Sequence, residues 1–189
     1  MRLFAAVVPP AGARGELARA LAPVRALPGA GRLRWADPAG WHVALAFYGE
    51  VGEAVVPALR ERLARAARRC PPHRLRLAGG GRFGQRVLWA GVEGETGTLA
   101  RLAGAAEAAG RRSGAGGGER RGYQPHLTLA RARRDGADLA PFATALSGFA
   151  GGAWTVAEFR LLHSVPPPAD APPGTRPRYE TAGVWPLTG

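Results

Sequence analysis

The sequence predicts an α+β protein made of two related halves, and three observations carry that prediction. Short apolar runs of strand length are interleaved with longer stretches in which apolar residues recur every three or four positions, the mixture expected when helices cover one face of an antiparallel-rich sheet. These stretches come in the order β-α-β-α-β, then in the same order again, with one strand left over. A short pattern, His-x-(Ala or Thr)-Leu-Ala, stands at His42 and again at His126, close to half of the 189-residue chain further on. Two equivalent strands with one imidazole each predict a bilobal, pseudo-twofold arrangement of residues 1–189: a single two-lobed domain, with antiparallel-rich sheets around a central cleft.

Taken in order, Leu3 to Val8 is an apolar run stopped by Pro9-Pro10, the mark of a buried strand and a turn. Leu17, Leu21 and Val24 set a helix over Ala13 to Leu27, ended by Pro28-Gly29. The turn-rich Asp37-Pro38-Ala39-Gly40 leads into the first histidine strand, Trp41 to Tyr48, closed by Gly49. Val55, Leu59, Leu63 and Ala66 give an amphipathic helix over Glu53 to Arg69, stopped by Pro71-Pro72. Arg74-Leu75-Arg76-Leu77 alternates as a half-buried strand, and Gly79-Gly80-Gly81 is expected to turn the chain. Arg86 to Val92 is the next strand, and Thr98 to Arg112 the next helix. A Gly- and Arg-rich loop, Gly110 to Gly122, delivers the chain to the second histidine strand. Asp138 is placed to cap a short helix that ends near Ser147-Gly148. Trp154 to Ser164 is a strand, Val165 to Pro177 a proline-rich surface loop unable to pair centrally, and Arg178 to Trp185 the closing strand.

With 46% apolar and 21% charged residues the chain has the balance of a folded protein rather than a disordered one. No apolar run has the ~18 residues of a membrane span, and the opening apolar stretch is too short for a signal peptide, so a cytoplasmic monomer with no membrane partner is expected. The lone Cys70 excludes an internal disulfide framework and reads as a buried or idle thiol. The formal charge is +12, and all 26 basic residues are arginine. Such a balance fits a polyanionic partner such as RNA, but a GC-rich coding sequence inflates Arg, Ala, Gly and Pro together and would produce the same excess.

In a strand, side chains alternate, so His126 and Thr128 share one face and Leu127 and Leu129 the other, and likewise His42 and Ala44 lie opposite Val43 and Leu45. Two imidazoles facing one cleft suit a displacement in which one takes a proton from the nucleophile and the other gives one to the leaving oxygen. A small hydroxyl residue beside each would then bind an anionic oxygen, and phosphate is the natural occupant. No histidine pair has the i, i+4 spacing of a helical zinc motif and no carboxylate accompanies either strand, so neither metal nor other cofactor is expected.

Paired His-x-Thr-type motifs, one per half, resemble the two-histidine phosphoesterase superfamily, and among its branches the chain is similar to the RNA 2',3'-cyclic phosphodiesterases, also called the 2'-5' RNA ligase family. The resemblance runs through Arg2-Leu3-Phe4-Ala5, Trp41 to Glu50, Val87 to Val92, Pro125 to Arg131 and Arg178-Tyr179-Glu180. It implies metal-free hydrolysis of a 2',3'-cyclic phosphate to a 2'-phosphomonoester, with ATP-independent joining of RNA ends as the reverse direction. By the same resemblance His42 and His126 are the catalytic pair and Thr128 binds phosphate. We assign His126 as the base that activates water and His42 as the acid.

The departure is Ala44, where the family pattern has Thr: a methyl cannot donate the hydrogen bond. Arg131 matches the family's arginine after the second motif, although unbroken parity turns it away from His126; Arg86 is a further candidate for substrate. Tyr48 and Phe83 are candidates to stack on a base, or else core residues. His73 is expected to be a solvated strand-end residue and His163 to have a structural or surface role. Two rival readings remain open here: a phosphodiesterase of small cyclic nucleotides, and an RNA-binding protein whose catalysis has weakened through Ala44.

Overall fold

The computed structural model describes residues 1–116, 122–133, 136–172 and 174–189. In chain order the elements are β1 (Arg2–Val7), α1 (Ala11–Val24), β2 (Leu33–Trp35), β3 (Val43–Glu50), α2 (Val56–Ala67), β4 (His73–Phe83), β5 (Val87–Gly94), α3 (Thr96–Ser113), β6 (His126–Ala132), α4 (Ala140–Leu146), β7 (Trp154–Val156), β8 (Glu158–Val165) and β9 (Arg178–Pro186). The mixed α+β class and the antiparallel-rich sheet agree with the sequence reading. Every strand pairing among the described residues is antiparallel. The strands join as one sheet in the order β7-β4-β5-β6-β3-β1-β8-β9, with β2 on the same edge of β6 as β3.

The two copies are interlaced in this sheet. β1 and β3 come from the first copy and β5 and β6 from the second, but β4 leaves the first copy to pair with β5, and β8 leaves the second to pair with β1. The helices follow: α1 packs on α4 and β4, whereas α3 packs on α2 and β3. The two histidine strands meet at one residue pair, Val43 opposite Leu127, the two positions that correspond in the repeated motif. The pseudo-twofold axis therefore passes through the β3–β6 junction, with a histidine on either side.

Helices cover one face because their apolar stripes match it. In α1 the buried residues are Ala13, Leu17, Leu21 and Val24, at helical spacing, and in α2 they are Leu59, Leu63, Ala66 and Ala67. Alternation between buried and exposed residues is absent from β1, where residues 3–7 are all buried, because both faces of this strand are covered. Leu3, Ala5 and Val7 join the main core, and Phe4 and Ala6 form a small second cluster with Leu162 on the opposite face.

Some expectations need correction. Gly79-Gly80-Gly81 does not turn the chain; β4 runs through it with a register shift between Leu77 and Gly80. The glycines are needed for closeness: a Cβ on Gly80 would lie 2.5 Å from Leu146 Cβ, and one on Gly81 2.3 Å from the Trp89 ring. Trp154 to Ser164 is two strands, β7 on β4 and β8 on β1, at distant places in the sheet. The span 110–122 is helical as far as Ser113, and its residues 117–121 lie outside the described residues. Asp138 precedes α4 as expected, its Oδ1 accepting from Ala140 N–H at 3.0 Å. His73 is not solvated: it is 2% exposed at the start of β4, opposite Val156, with Nδ1 3.0 Å from the Pro71 carbonyl. Pairing by the short β7 covers this strand end.

Candidate active site

The two motif strands carry the same burial sequence residue for residue. Positions 42 and 126 are half-buried, 43 and 127 buried, 44 and 128 half-buried, 45–46 and 129–130 both buried, and 47 and 131 exposed. Two consecutive buried residues break the alternation, and the ladders show why. Against β1, Ala6 faces Ala44 while Ala5 faces Ala46, so Leu45 is the extra residue of a bulge. Against β5, Trp89 faces Thr128 while Leu88 faces Ala130, so Leu129 is the extra residue of the matching bulge. Past each bulge the parity is reversed. Arg131 thereby returns to the face of His126 and Thr128, and Phe47 to the face of His42 and Ala44.

The register of Val43 with Leu127 sets His42 opposite Thr128 and Ala44 opposite His126 across the axis. Each ring is anchored alike, with Nδ1 of His42 2.7 Å from the Gly40 carbonyl and Nδ1 of His126 2.8 Å from the Gln124 carbonyl. A carbonyl only accepts, so Nδ1 carries the proton, and in the neutral ring Nε2 is the nitrogen able to take one up. Each ring is also flanked by two aromatic rings. Phe4 and Tyr179 stand 4.8 and 5.2 Å from His42, and Phe83 and Trp89 stand 4.8 and 6.2 Å from His126. Burial pushes the proton affinity of His42 below the ordinary histidine range; the Gly40 carbonyl opposes the shift, and charge on His126 and Arg131 adds to it. His126 and Arg131 thus act on His42 through their charge.

A model of the 2'-5' RNA ligase superfamily matches residues 13–165. The chain belongs to that superfamily. The RNA 2',3'-cyclic phosphodiesterase of Archaeoglobus fulgidus is 30% identical to it over 169 residues, 87% of this chain and 92% of the relative. Among solved structures, TT0787 of Thermus thermophilus is similar with a TM-score of 0.79 and 30% identity, covering 100% of this chain and 99% of its own. E. coli LigT complexed with 3'-AMP is similar with a TM-score of 0.74 and 29% identity, covering 100% of this chain and 98% of its own.

Within this superfamily frame the remaining candidates separate. Phe83 is 37% exposed, its ring perpendicular to that of His126, on the cleft face. Tyr48 is not there: it is 5% exposed on the core side, its hydroxyl donates to the Ala106 carbonyl at 3.1 Å, and burial together with Glu107 raises its proton affinity. The β3 bulge restores alternation one residue late, which turns Tyr48 inward and Phe47 outward. Arg86 is exposed in the β4–β5 turn, and its carbonyl accepts from Ala132 N–H at 2.9 Å, at the far end of β6 from His126. His163 faces Leu3 and Glu180 in the sheet, on the side away from the Phe4 cluster.

Sequence reading gives no role to Phe4, Phe47, Trp89 or Tyr179 and leaves Arg34 out altogether. Arg34 lies in the three-residue β2, directly opposite Arg131. Its only signal is the alternation of Leu33-Arg34-Trp35, too brief to separate from a loop. The cleft is also asymmetric. The strand of His42 carries Ala44 and Phe47 on this face, and the strand of His126 carries Thr128 and Arg131 at the equivalent positions, with Arg34 opposite Arg131.

Proposed function

We propose that this protein hydrolyses the 2',3'-cyclic phosphate at an RNA end to a 2'-phosphomonoester, with His42 and His126 as its acid–base pair. The observation that carries the reading is the pair of imidazoles related by the β3–β6 axis, each fixed through Nδ1 so that Nε2 is its proton-transfer atom. His126 takes a proton from water as its oxygen bonds to phosphorus; the bond from phosphorus to O3' breaks, and His42 protonates that oxygen. Thr128 donates its hydroxyl to a phosphate oxygen, and Arg131 neutralises the pentacoordinate anion. With a 5'-hydroxyl in place of water, the same step joins RNA ends without ATP.

Burial first, then charge on His126 and Arg131, work against the charged form of His42. A phosphodiester anion between the rings supplies the opposite field and lets His42 take up the proton that it delivers. Among the described residues no three His, Cys, Asp or Glu side chains gather as ligands for a metal ion. This reading takes residues 1–189 as one two-lobed domain acting as a monomer in the cytoplasm. The shared sheet supports the first part, and among the described residues no helix is long and apolar enough to cross a membrane.

The test is turnover of an RNA oligonucleotide ending in a 2',3'-cyclic phosphate, in excess chelator, with the product identified by its phosphate position. A 2'-phosphomonoester is expected. Binding without turnover would overturn the proposal in favour of an RNA-binding protein, and loss of turnover that added zinc or manganese restores would overturn the metal-free mechanism.

A further inference from the structure

On the cleft face, beyond Thr128, two arginines stand directly opposite each other on neighbouring strands: Arg131 of β6 and Arg34 of β2. Their neighbours Leu33, Trp35 and Ala130 are all buried in the main core, so the two exposed guanidiniums share the other face, the one that carries His126. Like charges directly opposite in a sheet destabilise it. Three other arginines of this sheet are neutralised: Arg76 pairs with Glu93, Arg160 lies 2.8 Å from Glu158, and Arg178 lies 2.9 Å from Glu180. Arg34 and Arg131 have no carboxylate partner among the described residues. An anion between them would remove the repulsion.

The reacting phosphate accounts for only one of the two. Arg131 shares β6 with His126 and Thr128 and its charge acts on His42, whereas Arg34 stands on β2, which continues beyond β3 along the same edge of β6. About four ladder steps separate His126 from Arg131, roughly 13 Å along β6. The row across the sheet is Phe83, Val87, Arg131, Arg34, and Phe83 is the exposed ring beside His126. We infer that Arg34, with Arg131, forms a subsite for the first internal phosphodiester of the RNA, one nucleotide back from the cyclic end. The subsite rests on the proposed reaction at that end and adds a preference for an oligonucleotide over a cyclic mononucleotide.

The experiment compares a 2',3'-cyclic mononucleotide with a trinucleotide that ends in the same cyclic phosphate. In Arg34→Ala, the trinucleotide-to-mononucleotide ratio of kcat/KM is expected to fall about five- to tenfold, the effect of one charge-assisted contact at an exposed site. The slope of log KM for the trinucleotide against log salt should fall by about one. Arg34→Lys should keep most of the preference, because a phosphate accepts a point charge. A ratio unchanged in Arg34→Ala would overturn the inference, and so would equal losses on both substrates, which would make Arg34 a support for Arg131. Affinity for the trinucleotide bearing a 2'-phosphate separates this from failure of the proposed reaction: Arg34→Ala should weaken it by the same factor even where turnover is absent, and equal affinity would overturn the subsite.

Discussion

At the scale of single residues, the two copies have kept their histidines and diverged around them. Where the second copy has Thr128 and Arg131, the first has Ala44 and Phe47 at equivalent positions and with equivalent exposure. His42→Ala and His126→Ala should each lower kcat/KM by about two to four orders of magnitude, the usual worth of a positioned acid or base. Circular dichroism should show the fold retained, since both rings stand on the cleft face. Full activity in either variant would rule out the paired mechanism. Ala44 faces Ala6 within β1–β3 and His126 across the axis. Thr at this position suits a strand and adds a donor beside the phosphate. Ala44→Thr is therefore expected to raise cyclic phosphodiesterase activity by about ten- to hundredfold, one regained hydrogen bond to a charged oxygen. An unchanged rate would mean that Arg131 already fills the role.

At the scale of elements, what is legible in the sequence is what repeats or has a period. The helices, the long strands and the histidine motif can be read because each is written in several residues. The bulges cannot be placed, because one extra apolar residue in a buried strand looks like ordinary composition; the only trace is that Leu-Ala follows at the same distance from each histidine. That omission sends Arg131 to the wrong face and keeps Tyr48 among the base-stacking candidates. The glycine run in β4 misleads for a related reason, since glycines that make room for Leu146 and Trp89 look in sequence like glycines that turn a chain. Helix α3 gives a direct check on closeness. A Cβ on Gly110 would lie 2.6 Å from the Gly116 carbonyl oxygen and 2.7 Å from the Tyr48 ring, whereas one on Gly104 meets nothing within 4 Å. Gly110→Ala should destabilise the protein by about 1–3 kcal/mol despite its better helix propensity. Gly104→Ala should stabilise it by about 0.5–1 kcal/mol. Denaturant melts of the two variants would measure both, and a stabilised Gly110→Ala would mean that α3 shifts freely on β3.

At the scale of the whole molecule, the interlaced copies make proton transfer a joint property of both halves. The proton that leaves water is taken on one side of the β3–β6 axis, and the proton that reaches the leaving oxygen is given from the other. Neither copy holds both groups. This arrangement predicts a bell-shaped pH profile, and the surroundings of His42 set the sign of its displacement. An acid must be protonated to work, so activity is lost as pH rises through its pKa. In the free enzyme the pKa of His42 is lowered, by burial first and by the neighbouring His126 and Arg131 in addition. The pKa of kcat/KM that belongs to His42, which reports the free enzyme, should therefore lie below the ordinary histidine range. Bound phosphodiester favours the charged ring, so the corresponding pKa of kcat, which reports the complex, should lie at higher pH. In Arg131→Gln the loss of one cation should move this pKa of kcat/KM upward as well, although the rate itself drops. A substrate with sulfur in place of the 3'-oxygen departs without needing protonation, so it should lose the alkaline limb and restore most of the turnover of His42→Ala but not that of His126→Ala. Rescue of the opposite variant would exchange the two roles across the axis.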